Sequence, residues 1–228
     1  MSECDDRVKA SLAPLWRHCS PGSARAALHV VGIAGWSGAG KTTLIEQLIP
    51  LLRAAGHWVA TVKHAHCGFD LDVPGKDSWR HRRAGACEVV VASDQRIAVI
   101  REAPTPVERR LDDLLKELTP PMGETTAWVL VEGFRQDPIP TIEVWRAVLN
   151  KPLRVQDASL QAVATTDPHV AFMREAAGHL PTLNLNDPSS IVAHLLRTAS
   201  RYRYAPPTGQ RPAEAQRAIL PFPRQTTA

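Results

Sequence analysis

The sequence predicts an α/β fold: a mostly parallel sheet flanked by helices, with a small antiparallel excursion. Three observations lead there. Strand-like apolar runs alternate with amphipathic helical segments over residues 28–199. Two of the runs, "LHVVGIA" and "AWVLVEGF", are apolar without alternation for most of their length, as strands buried on both faces are. A glycine-rich stretch, "GIAGWSGAGKTT", joins the first run to the first helical segment.

The elements follow in order. Residues 28–34 read as a buried strand. In 42–56, Leu44, Leu48, Leu51 and Leu52 share one helical face, and Gly56 is a natural stop. Pro50 conflicts with that helix and is expected to bend it. "HWVATVKH" (57–64) is the next strand, and "DSWRHRRAG" (77–85) is a short helix with Asp77 as its cap. "CEVVVAS" and "RIAVIRE" form two strands joined by a tight turn at Asp94 and Gln95. Residues 105–119 read as an amphipathic helix capped by Thr105, with Pro106 in its first turn. After the strand at 127–134 come three weaker strands, "TIEVWRAV", "LQAVATT" and "PTLNL". A closing helix spans 187–199, capped by Asp187 and started by Pro188.

These elements place one domain at 28–199, between an N-terminal extension at 1–27 and a tail at 200–228. The tail holds the arginines at 201, 203, 211, 217 and 224 against the single acid Glu214, so it accounts for the whole net charge of +4. The rest sums to neutrality, and no nucleic-acid face is demanded of it. The tail is rich in proline and reads as disordered. No run of about 18 apolar residues occurs, so no membrane span is expected. The N-terminal residues lack the apolar core of a secretory signal. Cysteines 4, 19, 67 and 87 form no CxxC pair, which fits a reducing, cytoplasmic setting.

The stretch from Gly35 to Thr42 matches G-x-x-x-x-G-K-[ST]. Gly35, Gly38 and Gly40 let the backbone turn tightly around a phosphate. Amides of Ser37, Ala39 and the residues opening the helix, Lys41 to Thr43, then point at the anion. Lys41 would reach the β- and γ-phosphates, and Thr42 would offer its hydroxyl to Mg²⁺. A P-loop NTPase fold follows from this loop in its strand-to-helix setting.

A second oxygen ligand should come from the end of a neighbouring strand. Glu132, after "WVLV", holds that position. The loop 63–78 carries Lys63, His64, His66, Cys67, Asp70, Asp72, Lys76 and Asp77. Asp70 and Asp72 could hold a magnesium water or orient an attacking one. Lys63 and Lys76 could touch phosphates. His64, His66 and Cys67 could instead bind zinc, with His81 or Cys87 completing the set, although the spacing matches no closed zinc site. Asp167, at the end of "AVATTDP", can accept from guanine N1–H and N2–H₂, a donor pair that adenine lacks. The same residues also suit a plain Asp-Pro turn.

At this point the chain resembles a family. "GWSGAGKTTLIEQL", "VKHAH" with "FDLDVPGKDSWRHRRAGA", and "LVEGF" with "PTIEVWR" are similar to molybdopterin-guanine dinucleotide biosynthesis protein B, MobB, over about residues 29–199. The resemblance implies a P-loop GTP-binding protein that forms homodimers, takes GTP with Mg²⁺ and hydrolyses it weakly. It implies an accessory or adaptor role beside a MobA-like guanylyltransferase that joins GMP to molybdopterin. Carried onto this chain, the family's phosphate loop is Gly35 to Thr43, its "GKDS" element is Gly75 to Ser78 and its strand-end acid is Glu132. Cys67 stands where the family commonly has a histidine.

Slow hydrolysis also follows from the residues. No glutamine is an obvious water-positioning group, and extra positive charge would have to come from Arg135 or Arg80. The catalytic set expected is Lys41, Asp70 and Glu132, with Thr42, Asp70 and Glu132 around the metal. A small-molecule kinase using the same loop is the rival class.

Overall fold

The computed structural model describes residues 27–65, 68–103, 109–120, 126–134, 137–154, 158–167 and 180–205. These fall into two compact units, one built from 27–64 and 111–205 and the other lying within 65–110.

The first unit contains a six-stranded sheet. Its strands are β1 (Leu28–Ala34), β2 (Trp58–Lys63), β5 (Ala127–Glu132), β6 (Thr141–Trp145), β7 (Leu160–Thr165) and β8 (Thr182–Asn184). Their order is β2-β5-β1-β6-β7-β8, and every pairing is parallel. All six C-terminal ends therefore share one edge. The chain runs from β1 to one side of the sheet and later crosses to the other, so β1 sits where the strand order reverses. That edge is where ligands bind in such sheets.

Strand alternation divides the core. On one face Val31, Ile33, Trp128, Leu130, Ile142 and Val144 pack with Leu44, Leu48 and Leu52 of α1 (Lys41–Ala54) and Ile191 and Leu195 of α4 (Pro188–Arg197). On the other, Val30, Val62, Val129 and Val131 meet Leu111 and Leu115 of α3 (Leu111–Glu117). α1 continues through Pro50. Proline removes the bond to the Glu46 carbonyl, but both residues are exposed, so water can take that carbonyl. The helix ends as expected: Gly56 N–H donates to Arg53 O and His57 N–H to Leu52 O, the paired bonds of a Schellman turn. Asp187 caps α4 by accepting from Ser190 N–H at 3.1 Å, and Pro188 follows in the first turn.

The strands read as weak deserve a correction in rank. β6 is buried along its whole length, beside β1 near the middle of the sheet. Thr141 and Glu143 hide its apolar character in the sequence. Both are buried and partnered: Thr141 donates to Ile139 O at 2.9 Å, and Glu143 accepts from Arg154 N–H at 2.7 Å. Trp145 is a core residue, its indole N–H donating to Lys151 O at 2.8 Å. The packed chain also runs past residue 200: Tyr202 is buried against Trp128, and Tyr204 N–H donates to Leu28 O at 2.8 Å.

The second unit holds α2 (Asp77–Arg83) and the antiparallel pair β3 (Glu88–Ala92) and β4 (Ile97–Arg101). The turn is the one expected, with Ser93 N–H donating to Arg96 O at 2.7 Å. Two helix starts differ from the sequence reading. The cap of α2 is Lys76, and Asp77 lies inside the first turn, where its charge still suits the helix dipole. The helix expected over 105–119 is formed at Leu111–Glu117, with 109–110 outside it. Thr105 and Pro106 lie outside the described residues.

Two buried histidines make stability depend on pH. Burial lowers the pKa of His29 from its ordinary value of 6.5, with Arg203 and His57 acting in the same direction. Burial also lowers that of His194, helped by Arg197 and Arg201. Burial favours the neutral form of both in the folded state, so below about pH 6.5 the unfolded chain takes up protons that the folded one resists. Stability is therefore full above that pH and falls as the solution is acidified. Thermal melts at about pH 7.5 and about pH 5.5 should show a lower Tm at the acid end. A Tm independent of pH over this range would contradict the buried neutral state.

Candidate functional site

β1 leaves the sheet at Ala34 and turns at once. Gly35 has φ 134°, and a Cβ there would lie 2.4 Å from the Val144 carbonyl oxygen of β6. Only glycine lets the chain pass so close to that strand. Gly40, at φ 100°, is the residue before α1 and makes no side-chain cap bond. The first amides of α1 have no partners within the helix, and its first turn holds no acid to offset the dipole. This end of the helix is suited to an anion.

The loop holds its own carbonyls away from that role. Trp36 O accepts from Ala39 N–H at 3.1 Å and from Lys41 Nζ at 3.0 Å. Ser37 and Gly38 are exposed, and Ala39 is buried. A Cβ on Gly38 would meet nothing within 4 Å, which leaves the mouth of the loop open. Thr42 and Thr43, next on the helix, are also exposed.

Glu132 stands where the sequence placed it, at the C-terminal end of β5. Thr42 donates its hydroxyl to Glu132 Oε2 at 3.3 Å, across 90 residues of sequence. Lys63, the register partner of Glu132 on β2, brings Nζ to 3.5 Å from the same oxygen. A hydroxyl and a carboxylate side by side are hard oxygen donors of the kind Mg²⁺ uses together with phosphate. Asp167 follows the end of β7, on the same edge of the sheet. Its N–H donates to Thr165 Oγ1 at 3.0 Å and its Oδ2 accepts from the Thr166 hydroxyl at 3.0 Å, which fixes the carboxylate in a local turn.

Asp70 belongs to the second unit. Both its oxygens accept from Arg82 Nη2, at 2.8 and 2.9 Å, and Oδ1 also accepts from Asp72 N–H. Asp72 accepts from Ser78 Oγ at 2.7 Å and Arg82 Nε at 3.0 Å, and Glu102 takes Arg82 Nη1. The Asp72 amide and then Arg82 hold the Asp70 carboxyl below its ordinary pKa. The Ser78 hydroxyl, and after it Arg82, does the same for Asp72. The "GKDS" serine thus has a visible task, bracing an aspartate of its own loop. His66, Cys67 and Arg135 lie outside the described residues, and no group of three metal-ligating side chains occurs among those described.

Two residues at the loop were not singled out from the sequence. Trp36 donates its indole N–H to Pro152 O at 2.8 Å, with the Arg154 guanidinium 4.6 Å from its ring centroid. Arg146, just past β6, donates Nε to Ala39 O at 2.8 Å. The available signal was position: Arg146 is the first residue beyond a strand whose end faces the ligand edge.

A loop of this build on the central strand places the chain among the phosphate-loop nucleotide-binding proteins. Comparison with known proteins narrows the class. The family model "Molybdopterin guanine dinucleotide synthesis protein B" (MobB) matches residues 30–166, and the chain belongs to that family. The molybdopterin-guanine dinucleotide biosynthesis adapter protein of Haemophilus influenzae is 45% identical over 139 residues, 61% of this chain and 75% of that one. The Escherichia coli adapter protein is 44% identical over 118 residues, 51% of this chain and 65% of that one. The structure of Bacillus subtilis MobB shares the fold, with a TM-score of 0.56 at 24% identity over 78% of this chain and 99% of that one.

Replacing Lys41 tests the loop directly. Lys41→Ala should weaken nucleoside triphosphate binding by about tenfold to a hundredfold, the effect of losing one charge-assisted hydrogen bond. A calorimetric titration measures it, and unchanged affinity would remove the loop from the site.

Proposed function

We propose that the protein binds GTP with Mg²⁺ on the Gly35–Thr43 loop. In this reading it serves as an accessory or adaptor protein in the molybdenum cofactor pathway. Its partner would be a MobA-like guanylyltransferase, its cargo molybdopterin or the guanine dinucleotide made from it, and its setting the cytoplasm. The observation that carries the reading is the pairing of Thr42 with Glu132 at the mouth of a glycine loop that also holds Lys41. Family membership and the names of the Haemophilus and Escherichia relatives support the pathway.

Each residue has a task. The loop amides take phosphate oxygens, except that of Ala39, which the structure gives to Trp36 O, and Lys41 neutralises charge between the β- and γ-phosphates. Thr42 and Glu132 would hold the metal or its waters. Bound there, Mg²⁺ would neutralise phosphate charge and fix the triphosphate's geometry. Asp167 would read guanine. Turnover is slow, because fast hydrolysis needs a water-positioning residue and a mobile cation. In this reading the nucleotide-binding domain is the segment 28–199 with the packed residues up to Tyr204, and the N-terminal extension and the rest of the basic tail are appendages.

We assign a homodimer as the working state. Val90, Val91, Ile97 and Val99 of the β3–β4 hairpin are all exposed, more apolar surface than a two-stranded element carries alone. Among the described residues no helix is long and apolar enough to cross a membrane.

Base choice tests the reading. GTP should bind at least tenfold tighter than ATP, the value of one or two hydrogen bonds to a carboxylate, and Asp167→Asn should erase the difference. Mg²⁺ should tighten GTP binding, and Glu132→Gln should weaken that dependence. Equal affinity for the two nucleotides, or γ-phosphate passed to an added acceptor, would overturn the assignment.

A further inference from the structure

The contact made by Arg146 has a consequence for the loop. A trans peptide points its C=O and the following N–H to opposite sides. Arg146 Nε holds Ala39 O at 2.8 Å, so Gly40 N–H is directed to the other face of the loop. The guanidinium also turns its Nε–Nη2 edge toward Gly40: a Cβ there would be 3.4 Å from Nη2 and 3.6 Å from Nε. Gly40 thus gives the loop its left-handed turn and leaves room for the arginine.

The support continues behind it. The chain after β6 is fastened to the strand at two points. The buried Glu143 carboxylate takes Arg154 N–H at 2.7 Å, and Trp145 Nε1 donates to Lys151 O at 2.8 Å. The same segment grips the other end of the loop, with Pro152 O accepting from the Trp36 indole and the side chains of Lys151 and Arg154 over its ring. Amide dipoles that converge on one point repel each other until an anion arrives. A loop that presents them must be held from outside, through its carbonyls. Lys41 holds Trp36 O, and Arg146 holds Ala39 O.

We propose that Arg146 is a positioning residue of the nucleotide site: it sets the Ala39–Gly40 peptide so that the loop is formed before the phosphates bind. The proposal rests on the nucleotide-binding reading above. Through this peptide the residue acts on the part of the cradle common to di- and triphosphates. Arg146→Ala should therefore weaken GTP and GDP by the same factor, about tenfold for the loss of one charge-assisted bond. Arg146→Lys keeps the charge and lacks the guanidinium's fixed geometry, so it should recover only part of the affinity. The loss should persist in high salt, since a short contact is screened little.

The experiment is calorimetric titration of wild type, both Arg146 variants and Lys41→Ala with GTP and with GDP, at low and high salt, with circular dichroism confirming that each is folded. A loss confined to GTP would mean a direct contact with the γ-phosphate and would overturn the positioning role. Full recovery by Arg146→Lys, or an Arg146→Ala protein that binds as wild type does, would overturn it as well. In those cases wild-type binding lost in Lys41→Ala leaves the nucleotide reading standing. If Arg146→Ala does not fold, the graded affinity of Arg146→Lys decides. Wild-type protein that binds neither nucleotide removes the reading itself.

Discussion

Backbone amides attract an anion only if they converge, and convergence is costly when nothing is bound. The Gly35–Thr43 loop meets this constraint by geometry and by external bonds. Three of its residues have positive φ, at 134° for Gly35, 79° for Gly38 and 100° for Gly40. Its carbonyls at Trp36 and Ala39 are held by two cations, Lys41 from the helix and Arg146 from the end of β6. The missing Cβ of Gly35 lets β1 end against the Val144 carbonyl, which brings the loop within reach of Arg146.

The sheet serves this arrangement. Placing β1 between β5 and β6 sets Glu132 on one side of the loop and Arg146 on the other. An acid and a cation thus flank the loop, Glu132 accepting from the Thr42 hydroxyl and Arg146 donating to the Ala39 carbonyl. The cost is polar burial in the central strands: His29 Nδ1 on β1 and Trp128 Nε1 on β5 are buried without a hydrogen-bond partner among the described residues, while Glu143 takes a backbone amide and Thr141 bonds a nearby carbonyl. Such buried, satisfied groups fix a loop in one conformation more firmly than apolar packing does.

Much of this was legible in the residues. The glycine pattern carries its own chemistry, and the strand-to-helix setting around it follows from hydrophobic period. Glu132 was found because an acid after four apolar residues ends a buried strand. Gly56, Asp187 and Pro188 act through local rules, and local rules can be read from sequence. What stayed hidden acts at long range. Arg146 meets Ala39 across 107 residues and Trp36 meets Pro152 across 116, so no local pattern marks either. β6 looked weak because its polar residues are partnered by a loop that the sequence does not place. Asp70 reads from the sequence as a residue that could hold a magnesium water, and the bonds that Arg82, twelve residues on, makes to both its oxygens carry no local signal.

Hydrogen exchange of the amides of residues 36–43, with and without GTP and Mg²⁺, tests most directly whether this loop is the anion cradle. Protection should rise there on nucleotide addition by more than anywhere else in α1 or the sheet. Exchange unaffected by saturating GTP at these amides, with protection appearing at another segment, would show that the cradle lies elsewhere.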